Sequence, residues 1–449
     1  MKYELPENVV HLEVHYLHDK LHNTKSKPVK ANKAAYQDVD QFHQMLKQNA
    51  DLSQRKALFS KLVKELGDDG VLNEESFLYS SQSWDLITDY YRRYSRDPSF
   101  VDYFWTVKLM HAPIWILNGI AEQFIPCKMY HTISTGYAGF MGAMLKRQTG
   151  RPLLLSEHGI YTKERKIDLF QSEWISDNRG IVAQNNSEME YFREKWANFF
   201  VELGRECYNA SDKIVALYER NRLRQVSDGA PTERTLNIPN GIDLPRMEKV
   251  RANRPEQVPA VCCLLGRVVP IKDVKTYIRA MRTVVNKMPH AEGWIAGPED
   301  EDQAYADDCH ALVRSLGLED NVKFLGFQKI DELLPKVGVI VLSSISEALP
   351  LSILEGFAAG VPAISTDVGS CRQLIEGLSD EDKALGSAGN IVGIADPEAL
   401  GGAVVNLLSD NKRWHQAQQS GIARVSQFYT QDMMFAAYRD LYQQLLADH

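Results

Sequence analysis

Two glutamates, Glu347 and Glu355, stand eight positions apart in the stretch VIVLSSISEALPLSILEGFAAGVPAISTDVG, residues 339–369. Carboxylates accept hydrogen bonds from hydroxyl groups and repel phosphate. A second set of residues has the opposite preference. Gly266, Arg267 and Lys272 form a G-R-x4-K pattern, in which arginine can grip a phosphate as a fork, lysine can act as a point charge and glycine lets the backbone approach. Taken alone, such charges are more often simply solvated. Two carboxylates beside a phosphate site suit a ligand with hydroxyls on either side of its diphosphate, and a nucleotide-sugar has that form. A third candidate is His158, in Glu157-His-Gly-Ile-Tyr-Thr162. Its imidazole could hydrogen-bond a sugar hydroxyl or a leaving phosphate oxygen, while position alone supports equally well a histidine satisfied by a loop carbonyl.

These residues need a frame. Val337 to Leu342 is a short apolar, β-branched run of the kind buried on both faces of a parallel sheet, and Ser343 to Leu349 reads as a polar loop. From Pro350, taken as the first helical residue, Leu351, Leu354, Phe357 and Ala358 recur on one helical face until Gly360 closes it. Val361 to Thr366 is a second strand, so a right-handed crossover places the two strands side by side. The free amides at the helix start, Leu351 and Ser352 first, suit an anion, and Glu355 is expected to lean back toward that mouth. Arg267 and Lys272 lie between a strand, Ala260 to Leu265, and a helix, Val274 to Met288; His158 follows a strand, Pro152 to Ser156. All three sets thus fall past the carboxyl ends of strands, where open α/β sheets bind ligands.

In that setting the pair of acids resembles the E-x7-E signature of family 4 retaining glycosyltransferases, which have the GT-B fold. The segment SISEALPLSILEGFAAGVPAISTDVGSCRQLIEG, residues 344–377, is similar to the PelF-like branch of that family, enzymes of Pel exopolysaccharide biosynthesis. So are Ser156-Glu-His-Gly-Ile-Tyr-Thr-Lys-Glu-Arg165 and the pair Lys272-Asp273, where most relatives carry Lys-Gly. The resemblance implies an α/β GT-B protein: two Rossmann-like domains facing across a cleft, a helix-rich insertion in the first, and a C-terminal helix crossing back. It implies a glycosyltransferase that moves a hexose or N-acetylhexosamine from a UDP-sugar to a growing exopolysaccharide, with retention and no required metal or other cofactor. Arg267 and Lys272 would clamp the donor diphosphate, Glu347 would hold the hexose, Glu355 the ribose, and His158 would contact the sugar. Gly266, Leu351, Ser352, Gly326 and the hinge-like Asn240 would complete the donor site, with Glu157, Lys163, Glu164 and Arg165 as further lining. Its partners would be the UDP-sugar, the polysaccharide acceptor and a membrane-embedded synthesis and export complex. Two alternatives stand beside this reading: a nucleotide-sugar epimerase of the same fold, and a non-catalytic UDP-sugar-binding subunit.

Composition narrows the field. The 449 residues carry a net charge of −8, which disfavours nucleic acid as a partner. Six cysteines, Cys127, Cys207, Cys262, Cys263, Cys309 and Cys371, lack paired metal spacing and read as reduced. The sequence shows no apolar run of about 18 residues and no signal-peptide pattern at MKYELPENVV, so the expected place is the cytoplasm or, peripherally, the inner face of the membrane. Val10 to Leu17 alternates like a strand, which argues against His11, His15, His18 and His22 sharing a metal ion. Residues 34–124 have helical period, with expected helices at Ala34–Gln48, Gln54–Leu66, Ser83–Arg93 and Phe100–Gln123, and Asp38-Val-Asp40 reads as acidic decoration of a helix start. Arg246 to Val258 reads as linker. Domain limits are expected at 1–238, 239–428 and 429–449. Relatives open with a first strand and a Gly-rich loop; here the one Gly-Gly pair is Gly401-Gly402, so that opening is expected to be missing.

Overall fold

The computed structural model describes residues 6–17, 28–47, 52–67, 70–95, 99–171 and 186–448. The chain forms two compact units, one of Met1–Ile214 with Asp228–Arg234, the other of Val215–Ser227 with Thr235–Asp448.

The first unit begins with helices α1 (Lys33–Lys47), α2 (Leu52–Glu65), α3 (Glu74–Tyr79), α4 (Ser81–Tyr94) and α5 (Phe100–Glu122). The short α3 escapes a reading by apolar period. Its signal is a capping box in which Asn73 accepts from the Ser76 amide while the Ser76 side chain meets the Asn73 amide. Then β1 (Tyr130–Thr132), α6 (Tyr137–Thr149), β2 (Leu153–Glu157), α7 (Tyr161–Gln171), α8 (Asn186–Ala210) and β3 (Lys213–Ala216) follow in alternation. β1 and β2 are parallel, with Tyr130 opposite Leu153. One sheet of the chain has four strands in the order β1-β2-β3-β4, its last strand being β4 (Thr235–Asn237). Met144, Leu153, Phe140, Phe200 and Leu117 fill the core between that sheet and the helices.

One expectation changes here. Val10 to Leu17 is not a strand; Val10, Leu12, Val14 and Tyr16 are exposed. Alternation makes a strand only where a neighbour takes up the backbone groups, and no described residue pairs with this segment. Instead His11 and His15 both contact Glu13, at 2.6 and 2.9 Å; His18 and His22 lie outside the described residues. The two acids of Asp38-Val-Asp40 part company, Asp38 pairing with Lys61 and Asp40 accepting from Tyr90 and Gln44.

The second unit holds α9 (Glu219–Ser227), α10 (Leu244–Ala252), β5 (Val261–Leu265), α11 (Val274–Lys287), β6 (Glu292–Ala296), α12 (Gln303–Ser315), β7 (Val322–Gly326) and α13 (Ile330–Leu333). After these come β8 (Val339–Leu342), α14 (Leu351–Ala358), β9 (Ala363–Thr366), α15 (Cys371–Glu376), α16 (Asp380–Lys383), β10 (Gly389–Val392), α17 (Pro397–Leu408), α18 (Asn411–Phe428) and α19 (Gln431–Ala447). The expected linker at 246–258 is therefore largely helix. Asp243 caps α10 by accepting from the Arg246 amide at 3.1 Å, and Met247 and Val250 bury a narrow apolar edge that the surrounding charges mask. Pro350 is the N-cap of α14 rather than its first helical residue.

One buried charge fastens the C-terminal part of this unit. Arg424 is fully buried, and its guanidinium donates to Asp382 Oδ1 and to the carbonyls of Leu374, Ile375, Asp382 and Gly386. Its donors are thereby satisfied, and they tie the loop before β10 to α18. Arg424→Met should destabilise the protein by about 3–5 kcal/mol, because Asp382 is left as an uncompensated buried charge. Urea unfolding checks this, and a loss below about 1 kcal/mol would contradict it.

Candidate functional site

The six parallel strands of the second unit lie in the order β10-β9-β8-β5-β6-β7. The chain lays down β5, β6 and β7 in one direction, then returns past β5 to add β8, β9 and β10 in the other. β5 and β8 are therefore neighbours whose following loops diverge, which opens a crevice at their carboxyl ends.

Lys272 and Glu347 meet where those two loops begin. Lys272 Nζ donates to Glu347 Oε1 at 2.6 Å, with side chains only 19% and 11% exposed. Ser344 Oγ donates to the same oxygen at 2.6 Å. The loops are also joined through backbone: Ser343 Oγ donates to the Lys272 carbonyl and the Ile345 amide to that of Ile271, each at 2.9 Å. Thr366 Oγ1, at the end of β9, reaches the Ser344 carbonyl at 2.7 Å. Gly369 is required twice over, by its φ of +55° and by the Glu347 carbonyl, which would stand 2.3 Å from a Cβ there.

Arg267, also past β5, is about half exposed, and its Nη1 donates to both oxygens of Glu301 at 2.6 and 2.5 Å. An exposed pair of this kind is worth about 0–1 kcal/mol, so a phosphate could take the guanidinium over. Around Gly266 the protein itself leaves room for a side chain. A Cβ there would make an ordinary 3.5 Å contact with Lys272, whereas one at Gly297 would stand 2.0 Å from the Gly266 carbonyl. At the start of α14, Pro350 offers no side-chain cap, and among the described residues the amides of Leu351 and Ser352 have no partner. Nearby, Ser370 donates its amide to Ala348 while its buried hydroxyl is unpaired.

Glu355 does not share the surroundings of Glu347. It sits by the pair that Arg246 of α10 makes with Asp331 of α13, at 2.7 Å. Burial pushes its carboxyl up to about 6, with Arg246 opposing and Asp331 adding to the rise. At the end of β7, Gly326 has φ +61° and Phe327 is 82% exposed, which rules out core packing for that ring. Asn240 belongs to a segment fixed elsewhere: its neighbour Gly241 packs on Thr430 and Gln431, and Ile242 bridges to Thr430.

In the first unit His158 is exposed just past β2. Glu157 beside it is a buried anchor rather than lining, accepting from Thr135 Oγ1 (2.9 Å), the Tyr161 amide (3.1 Å) and Tyr208 OH (2.8 Å). Lys163, Glu164 and Arg165 are exposed on α7. Ser344, Ser370, Glu301, Arg246 and Asp331 went unnoticed in sequence; Ser344 and Ser370, inside the 344–377 segment, carried a local signal. Two open cavities of about 670 and 930 Å³ lie away from the crevice, one at the amino ends of β5 and β6, the other between β10 and α18.

Residues 1–233 match the family described as Domain of unknown function (DUF3492), and residues 246–424 match Glycosyl transferases group 1. The chain belongs to the DUF3492 family. It is 28% identical over 239 residues to the lipopolysaccharide core biosynthesis glycosyltransferase LpsE of Rhizobium meliloti, covering 53% of this chain and 61% of the relative. To D-inositol 3-phosphate glycosyltransferase 2 of Catenulispora acidiphila it is 25% identical, over 50% of this chain and 54% of the relative. The chain thus spans little more than half the length of these curated relatives. Anabaena Alr3699/HepE in complex with UDP-glucose superposes with TM-score 0.58 at 16% identity, over 78% of this chain and 90% of that one. Sucrose-phosphate synthase (tll1590) from Thermosynechococcus elongatus gives TM-score 0.58 at 20% identity, over 76% and 80%. The fold of this DUF3492 member is accordingly α/β, with two parallel-sheet Rossmann-like units and a helix-rich N-terminal region, like its GT-B neighbours.

The raised Glu355 carboxyl has a consequence for the group 1 domain. Folding favours its neutral form, so the stability it contributes is full below about pH 4.5 and is lost as pH rises through about 6. Glu355→Gln should therefore raise the thermal midpoint by about 2 °C near neutral pH, with the gain vanishing toward pH 4. A scanning-calorimetry series that shows no gain at neutral pH would contradict this environment.

Proposed function

We propose that the chain is a glycosyltransferase that binds a UDP-sugar at the β5/β8 crevice and passes its hexose or N-acetylhexosamine to a growing exopolysaccharide with retention of configuration. The observation that carries the donor reading is the Lys272–Glu347 pair at the point where strand order reverses. It sets a cation for phosphate and a carboxylate for hydroxyls side by side.

A diphosphate entering there would draw Arg267 from Glu301 and share Lys272 with Glu347, while the amides of Leu351 and Ser352 complete the anion site. Glu347, oriented by Lys272 and Ser344, is left to accept from hexose hydroxyls, and Glu355 from the ribose. Phe327 offers an exposed face to the base. As the bond from the anomeric carbon to the diphosphate oxygen breaks, its electron pair leaves with the diphosphate, where Arg267, Lys272 and the amides stabilise the charge. The acceptor hydroxyl forms the new glycosidic bond and passes its proton to the departing diphosphate oxygen. With fixed cations at the phosphates, no metal ion is called for. His158 enters through the family resemblance, as the residue that touches the donor sugar. The similarity to PelF-like sequences supports Pel as the polymer and a cytoplasmic enzyme working with a membrane-embedded export complex. Among the described residues no helix is long and apolar enough to cross a membrane.

The test is calorimetric titration with UDP and a panel of UDP-sugars, without added metal. Binding in the micromolar range is expected, weakened about tenfold or more in Lys272→Ala, a loss of roughly 1.4 kcal/mol, and also weakened in Arg267→Ala and Glu355→Ala. His158→Ala should keep UDP binding and lose sugar transfer. A folded protein that binds no UDP-sugar would end the donor reading. Binding without turnover would favour the non-catalytic subunit, and an epimerised sugar the epimerase.

A further inference from the structure

The helical layer of the first unit gathers cations with little acid to balance them. His43 and Lys47 lie one turn apart on α1, Lys108 and His111 nearly one turn apart on α5, and Lys195 on α8. The rings of His43 and His111 are 6.1 Å apart. Among the described residues none of these lysines has a carboxylate partner; aromatic faces stand where counter-ions would be. Lys195 Nζ is 4.5 Å from the Tyr103 ring centroid and donates to Tyr191 OH at 3.3 Å. Lys47 Nζ lies 3.0 Å over Tyr94 and 4.8 Å from Tyr90. Lys108 Nζ is 4.0 Å from the Phe77 ring and donates to the Phe77 carbonyl. The acid acting on the cluster is Asp40, and its oxygens already accept from Tyr90 OH and Gln44 Nε2, each at 2.9 Å.

The two histidines are set in the same way. His43 Nδ1 lies 2.9 Å from the Val39 carbonyl and His111 Nδ1 2.7 Å from that of Val107. A carbonyl only accepts, so each Nδ1 carries the hydrogen, and each Nε2 is left to face other groups. Once protonated, both Nε2 become donors aimed away from their own helices.

We propose that this basin is a binding site for a phosphoryl group, as inorganic phosphate or a phosphate monoester, held by His43, His111, Lys47 and Lys195 and separate from the donor crevice. Three lysines against one carboxylate leave an excess of two positive charges, which a dianion matches and a single carboxylate does not. Protonation supports the assignment. Burial holds Lys47, Lys108 and Lys195 down to about 8 and His111 down to about 4, and it lowers His43 as well. A bound dianion would reverse those shifts, so the basin takes up protons on binding, and for a phosphate monoester, which keeps most of its second charge down to about pH 6, affinity tightens as pH falls from about 8 toward 6.

The experiment uses the full chain carrying Lys272→Ala, which weakens the donor crevice as a rival phosphate site. Thermal midpoints are followed as inorganic phosphate, or a sugar phosphate monoester, replaces chloride at constant ionic strength, near pH 6 and near pH 8. A rise specific to phosphate and larger at the lower pH is expected, with affinity at least about tenfold weaker in Lys47→Gln, the least buried of the four side chains, and in His111→Gln. Tighter binding of the monoester would name that as the ligand form, and equal binding the free ion. A midpoint that responds equally to chloride, or a phosphate effect that persists in both variants, would overturn the site.

Discussion

The reversal of strand order between β5 and β8 is the constraint on which the candidate donor site depends. Parallel neighbours keep their following loops close, but here one loop must leave toward β6 and the other toward β9. The crevice that results would have unpaired edges unless something fixed its walls. Lys272 and Glu347 do so, supported by Ser343, Ser344 and Thr366, which tie side chain and backbone across the gap. An ion pair this far from water gains little net stability, because desolvation offsets most of the attraction. Its effect is geometric: it holds a phosphate-seeking cation and a hydroxyl-seeking carboxylate in one place before any ligand arrives.

Much of this was legible in sequence, for physical reasons that differ by element. β5, β6, β8 and β9 are short apolar runs flanked by glycine or polar loops, so they stand out in one dimension; β6, β7 and α17 fall on the residues expected. The α10 helix did not stand out, since two buried residues among nine are enough to dock it on α14 while its other positions stay charged. Val10 to Leu17 shows the converse, a correct strand pattern without a neighbour to pair with. Site residues divide along the same line. Lys272 and Glu347 were found because each follows a recognisable strand, whereas Glu301, Arg246 and Asp331 act through contacts 34 to 85 residues distant in sequence. No local pattern records such a contact.

Glu347 and Glu355 look equivalent as a spaced pair, yet the fold gives them opposite electrostatic fates. Glu347 has a lysine and a serine on one oxygen, while Glu355 is raised by burial beside a guanidinium already taken by Asp331. A carboxyl kept half-buried without a partner of its own among the described residues is a local cost that a ligand hydroxyl would relieve. The asymmetry therefore fits two different hydroxyl groups better than one shared ion.

Asp273 shows how the chain departs from a family pattern without losing the geometry behind it. Its φ of +44° explains why glycine is the usual residue after this lysine, since a side chain is strained there. Aspartate tolerates that region better than most residues, and here its carboxylate accepts from the Thr276 amide at 3.2 Å, capping α11. The turn that places Lys272 is thus tied to the helix that follows it. A glycine would reach the same φ more cheaply but leave the helix start uncapped and the turn freer to move. Under the proposed donor reading, in which Lys272 meets Glu347 in the empty crevice and a diphosphate in the filled one, the capped turn supplies a fixed base from which only the side chain need move.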